Sequence, residues 1–155
     1  MQKIDKKKFR NALGCYLTGV TVITTSASKK MVGVTANSFS SVSLEPPLVL
    51  WSIDKNSSRF DVMSNAENYA INVLSYNQTN VAVEFVKNKD PFERIDFVTG
   101  INDIPIIKNS SAVFECEKRD IFDGGDHSII LGKVIKFSSN ESKPLFFYKG
   151  EFGSL

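Results

Sequence analysis

The chain has 155 residues, 42% hydrophobic and 23% charged, which excludes a disordered polymer and matches one ordinary domain, read here as residues 1–155. Lys and Arg number 19 against 17 Asp and Glu, a net charge of +2, so the heavy basic excess of a nucleic-acid-binding domain is missing, and no apolar run reaches the ~18 residues of a membrane span. Two cysteines and one histidine exclude a disulfide scaffold, a four-ligand zinc site and any His-pair metal motif, so no metal is expected.

The first element is ambiguous. Lys3, Lys6, Lys7, Lys8 and Arg10 precede a mildly apolar stretch over 12–23, as in a secretory signal, but Gly14, Thr18, Gly19 and Thr21 interrupt it. The segment reads better as an amphipathic helix. Asp5 is its N-cap, Phe9, Leu13, Tyr16 and Leu17 share one face, and Gly19 is its stop. A retained N-terminus with two unpaired thiols fits a reducing, cytoplasmic setting.

The rest reads mostly as strand. Residues 20–25 are β-branched throughout, 26–30 form a turn, and 31–39 return as the second strand of a hairpin. This runs into 40–44, and Pro46-Pro47 breaks it before the apolar strand 48–53. Ser57 or Ser58 is placed to cap a short helix holding Phe60, Val62 and Met63. Residues 69–74 are a strand. Residues 77–86 have helical period, with Val81, Ala82 and Phe85 on one side, and 87–103 is a polar surface excursion. Over 112–117, Phe114 and Cys116 face one way and Glu115 and Glu117 the other, the pattern of a half-solvated, edge-like strand. Residues 123–126 (DGGD) are a tight turn, and 129–137 and 145–148 are the last strands. About six or seven short strands, about three peripheral helices and no βα alternation predict a mainly β fold, a small closed antiparallel barrel of Greek-key type.

Residues 33–47 are the most informative. Six of these fifteen, Thr35, Asn37, Ser38, Ser40, Ser41 and Ser43, carry small hydroxyl or amide groups. Where a strand becomes a loop, such groups and the free backbone N–H make an anion cradle; the plain alternative is a Ser/Thr-rich turn at a barrel rim. Asn56, Ser57 and Ser58, beside Arg59, form a second polar cluster at a helix start, suited to a phosphate or to simple capping. His127 opens a strand beside a flexible turn, placed either as a surface residue or as a substrate-orienting group or proton donor. Cys15 and Cys116 read as buried small apolar residues. No CxxC, GxSxG, Walker or GxGxxG pattern occurs, so any nicotinamide or flavin is held without a Rossmann fingerprint.

Residues 35–49 (TANSFSSVSLEPPLV) resemble the signature of the flavin reductase-like, FMN-binding split-barrel family, the small reductase components of two-component flavin-dependent monooxygenases. The likeness runs nearly end to end: residues 19–25, then Asn72-Val73-Leu74-Ser75 with Gln78, Ala82 and Phe85, then Gly125-Asp126-His127, then Pro144-Leu145-Phe146-Phe147-Tyr148 with Gly150 and Phe152. The resemblance implies a homodimeric split β-barrel with FMN or FAD bound near the dimer interface. It implies NADH or NADPH as hydride donor and a separate oxygenase as receiver of the reduced flavin. Carried over residue by residue, Thr35, Ala36, Asn37, Ser38 and Ser41 contact the flavin and its phosphate. Trp51, Ser52 and Ile53 run beside the ring by backbone, and Asn56, Ser57, Ser58 and Arg59 hold the phosphate end. Phe85 lines the pocket, His127 meets the nicotinamide as the catalytic residue, and Tyr148 borders the ring. Trp51 is bulkier than the family residue expected there and Val81 replaces an expected Leu, departures that bear on the stacking surface.

The residues agree with this chemistry on their own terms. Hydride transfer between two cofactors asks the protein to align rings and stabilise charge, not to supply a nucleophile and base. Two other readings compete. A flavin carrier or electron-transfer protein without reductase turnover fits the same cradle. A nucleic-acid-binding barrel needs basic residues interleaved with exposed aromatics, and here the lysines are scattered.

Overall fold

The computed structural model describes residues 4–155. The Asp5 carboxylate accepts the backbone N–H groups of Lys7 and Lys8 at 2.9 and 3.1 Å and caps α1 (Lys6–Leu13) as expected. The helix ends at Gly14, short of the predicted Gly19. The reason is a long-range pairing: β1 (Thr18–Gly19) joins Phe147 and Phe146 near the C-terminus, and a continuing helix cannot supply that edge. Nothing in α1 is buried, and Phe9, Leu13, Tyr16 and Leu17 are all exposed.

β2 (Thr21–Ala27) and β3 (Lys30–Ala36) form the expected hairpin. Its turn residues Ser28 and Lys29 have φ of 50° and 67°, the positive pair that matches the twist of two antiparallel strands. β4 (Ser40–Leu44), β5 (Pro47–Asp54), α2 (Phe60–Asn65), β6 (Asn68–Val73) and α3 (Thr79–Lys87) follow. The predicted surface excursion contains β7 (Phe97–Thr99), paired with β8 (Pro105–Ile107) just beyond it. The long hairpin of β9 (Ala112–Gly124) and β10 (His127–Ser139) leads to β11 (Leu145–Tyr148) and β12 (Glu151–Ser154).

Seven strands form one antiparallel sheet in the order β3-β2-β6-β9-β10-β5-β4. The chain crosses from one edge to the other between β3 and β4, and back through α2 between β5 and β6. The predicted closed barrel is corrected: no backbone ladder joins the two ends of this sheet. The sheet nevertheless curls around a shared core. Ile23 of β2, Trp51 of β5, Ile71 of β6 and Ile130 of β10 are fully or almost fully buried in one cluster. α3 covers the opposite face, burying Val81, Ala82 and Phe85 against Val22 and Leu74. Gly33 makes room for this, because any side chain there would run into the Phe85 ring.

Two further expectations fail for long-range reasons. β9 is no edge strand: β6 and β10 flank it, and Glu115 is buried. The Glu115 carboxylate accepts the Ile101 N–H at 2.7 Å and lies 3.1 Å from the Lys136 ammonium, which makes its burial tolerable. Cys15 is exposed; only Cys116 is buried. Burial, followed by the charge of Glu115, pushes the Cys116 thiol up to about 12, so it stays protonated at neutral pH.

Candidate active site

The site is built where the end of β3, the end of β5 and the start of β10 converge. The register sets His127 opposite Asp54, so the only imidazole lands beside the loop that follows β5. Lys55 N–H donates to the Asp126 carbonyl at 3.0 Å, and the Lys55 ammonium donates to the Asp123 carboxylate and to the Gly125 carbonyl. The loop after β5 is thereby tied to the β9–β10 tip. The Asp126 carboxylate lies 2.7 Å from His127 Nδ1. That contact holds Asp126 below the usual carboxylate range and keeps the imidazole in one orientation.

Two clefts meet here. The smaller, about 230 Å³, is lined by Val34, Thr35, Ala36, Asn37, Ser38, Ser52, Ile53, Asp54, Ser57 and His127. The larger, about 1030 Å³, lies between α1, β1 and the β11–β12 hairpin. Asn37 and His127 line both. Whole drug-sized ligands need roughly 300–1,000 Å³, so the smaller cleft takes part of a ligand and the larger can take a whole one.

The structure brings eight of the predicted residues to the smaller cleft: Thr35, Ala36, Asn37, Ser38, Ser52, Ile53, Ser57 and His127. It also shows that several hydroxyls expected to be ligand donors are already committed. Ser38 Oγ accepts the Ser52 N–H at 2.9 Å and donates to the Ser52 carbonyl at 3.0 Å, latching β3 to β5 across the seam of the sheet. Thr35 Oγ1 donates to the Ala82 carbonyl at 2.7 Å and fixes α3 on β3. Ser57 Oγ accepts the Arg59 N–H at 3.2 Å. Neither Ser57 nor Ser58 is the N-cap of α2, which is Arg59, and that helix has six residues and a correspondingly small dipole.

The remaining predicted residues lie off the cleft wall. The Arg59 guanidinium donates to the Asn88 carbonyl at 2.6 Å, and Asn56 bonds the Asp54 carboxylate through its N–H and its amide. Ser58 is exposed beside them, and Ser41 is exposed on the edge strand β4. The Trp51 indole is fully buried, 6.0 Å from the Tyr69 ring, so its bulk goes into the core and not onto a stacking surface. Phe85 is fully buried behind Gly33 and supports β3 from the far side. Tyr148 stands next to the large cleft, its ring 5.3 Å from the Lys149 ammonium. The sequence reading missed the wall of the large cleft, Arg10, Thr18, Phe147, Lys149 and Gly150 among it, because its parts come from the two ends of the chain.

The chemistry of the donor set suits a flavin: the Asn37 amide and one imidazole stand at a groove with apolar walls at Val34 and Ile53. Among the described residues no group of three His, Cys, Asp or Glu side chains gathers to hold a metal.

Comparison with known proteins leads to the same place. The model of the flavin reductase like domain matches residues 13–155. The chain is 43% identical over 149 residues to the FMN reductase (NADH) SmoA of Agrobacterium fabrum, covering 96% of this chain and 86% of that protein. It is 38% identical to the reductase component of the flavin-dependent trigonelline monooxygenase of Acinetobacter baylyi, covering 98% of this chain but only half of that protein. The structure of the NADH:FAD oxidoreductase SgcE6 of Streptomyces globisporus superposes with a TM-score of 0.91 at 34% identity, over 98% of this chain and 95% of the other. With its matched domain, its relatives and its fold in agreement, the chain belongs to the flavin reductase-like domain family.

Proposed function

We propose that this protein is an NAD(P)H:flavin oxidoreductase that reduces FMN, or FAD, and supplies it to a separate oxygenase. The observation that carries the reading is the junction of two clefts at Asn37 and His127, which gives two nucleotides room to meet at one imidazole. The names of the relatives support each part: FMN and NADH in SmoA, FAD and NADH in SgcE6, and an oxygenase partner for the trigonelline reductase component.

When bound, the flavin supplies the hydride-accepting ring. The protein's share is placement. The Ser38–Ser52 latch fixes the separation of β3 and β5, and so the width of the groove. The side chains of Val34 and Ile53 offer apolar walls for a heteroaromatic ring, while Asn37 offers an amide at the mouth. His127, held at Nδ1 by Asp126, lines both clefts, where it orients the nicotinamide nucleotide. The protein works as a homodimeric split barrel in the cytoplasm. Val42 and Leu44 on the edge strand β4 and Ile135 and Phe137 on the outer half of β10 leave one end of the sheet with exposed apolar side chains, which a second copy covers. No helix among the described residues is long and apolar enough to cross a membrane.

The test is anaerobic. Protein, FMN and NADH are mixed and flavin absorbance is followed. Bleaching of many flavins per protein, with His127→Ala raising the KM for NADH more than the Kd for FMN, is expected. At most one turnover per bound flavin would instead identify a carrier.

A further inference from the structure

We infer that Arg10 and Lys149 hold the pyrophosphate of the nicotinamide dinucleotide in the large cleft. This rests on the reductase reading above and names the residues that bind the anionic half of its hydride donor.

Two observations converge. The first is charge. Arg10 and Lys149 are the Arg and Lys residues on the wall of the large cleft, and no carboxylate lines it. The small cleft is lined by Asp54 and by neither cation. Two cations match the two negative charges of a pyrophosphate, and charge-assisted bonds to phosphate are the strong ones. Neither cation forms a salt bridge among the described residues.

The second is convergence. These residues stand at the two ends of the chain, yet two backbone bonds bring their segments together. Gly14 N–H donates to the Arg10 carbonyl at 3.0 Å, and Lys149 N–H donates to the Gly14 carbonyl at 3.0 Å. Lys149 and Gly150, with φ of 49° and 89°, form the tight turn between β11 and β12, which delivers the lysine to the end of α1.

Thr18 stands on the same wall. A dinucleotide with its nicotinamide at His127 and its pyrophosphate between Arg10 and Lys149 runs along this wall.

The test compares wild type with Arg10→Ala, Arg10→Lys, Lys149→Ala and the double alanine variant. α1 buries no residue, so the Arg10 variants are expected to keep the wild-type circular dichroism and Tm. Steady-state KM is measured for NADH and for NADPH, NADH binding is measured by calorimetry, and the Kd for FMN by fluorescence quenching. The expected result is a rise in KM of about tenfold for Arg10→Ala and about fivefold for Lys149→Ala, equal for NADH and NADPH. The Kd for FMN and kcat stay near wild type, Arg10→Lys recovers part of the loss, and added salt narrows the gap between variants. A parallel loss of FMN affinity would assign the cations to the flavin phosphate and overturn the inference. A rise confined to NADPH would assign them to the 2′-phosphate, and no change in any constant would remove them from phosphate binding. A wild-type protein that binds NADH through these residues but turns no flavin over sinks the reductase reading and leaves the subsite standing.

Discussion

The two clefts that meet at Asn37 and His127 are built on different principles. The small one is cut into the sheet. Its walls are β3 and β5, and its hydroxyls are spent on holding those strands and α3 in place. The large one is assembled from pieces added to the sheet. One wall is α1, which buries no residue and meets the β11–β12 hairpin through the bond between Lys149 and Gly14. The first is internally satisfied, and the second is lightly anchored, with cations that form no salt bridge among the described residues. The difference teaches that a hydroxyl-rich run can be architecture. The side chains left to face a ligand in the small cleft are Asn37 and His127, while cations for a ligand lie across the junction.

The sharpest way to break that comparison is Phe85→Ala. If Phe85 is architecture behind the small cleft, its loss leaves a cavity between α3 and Gly33 and costs about 3–5 kcal/mol in urea denaturation. FMN affinity, measured on the fraction that remains folded, stays near wild type. A variant of normal stability with poor FMN binding would put the ring in the cleft wall instead.

Ser38→Ala comes next. It strips the Ser52 N–H and carbonyl of their partner across the seam and is expected to cost about 1–3 kcal/mol. Stability and FMN affinity fall together, because the groove loses its fixed width. Ser38→Thr, which keeps a hydroxyl, restores part of both. Loss of FMN binding at unchanged stability would show that Ser38 is a direct ligand donor, and the contrast between the clefts would fail.

The thiols sharpen the same contrast without a change in energy. Cys15 is exposed on the wall of the large cleft, whereas Cys116 is buried with its thiol held protonated. One thiol per chain should react with a disulfide reagent in native buffer and two in denaturant, and peptide mapping should place the first at Cys15. Slower labelling with NADH present would tie Cys15 to the donor side. Equal labelling of both thiols in the native state would mean that the β6–β9–β10 core opens as readily as the α1 wall.

How much of this the sequence carried follows from how local each signal is. The Asp5 cap, the β2–β3 turn and the α3 stripe of Val81, Ala82 and Phe85 depend on neighbours within one or two turns, and were legible. The run over 35–41 was legible as special, because its composition is poor for a strand interior. What its hydroxyls do was not, since Ser38 answers to Ser52 and Thr35 to Ala82, across the seam and beneath it. Glu115 misled for the same reason. Alternating acids signal solvent, and only the fold supplies Ile101 N–H and Lys136 to a buried carboxylate. The large cleft was invisible because Arg10 and Lys149 become neighbours only through β1–β11 pairing and the Gly14 contact.

The smallest effect concerns the brace that joins the two regions. The hydrogen bond from Lys55, and then its charge, hold Asp123 below the usual carboxylate range, and His127 does the same to Asp126. A depressed carboxylate stabilises the fold above its ordinary titration range, and the contribution is lost as pH falls through the depressed value. Both carboxylates are fully exposed, so solvent screening leaves little in global stability and the titration itself is the readout. In Lys55→Met, carboxyl NMR should show Asp123 returning upward to the ordinary range while Asp126, still paired with His127, stays depressed. If both rise together, the Asp126–His127 contact depends on the Lys55 brace. The orientation of the imidazole is then set from the loop after β5, so the small cleft governs how the large one presents its donor.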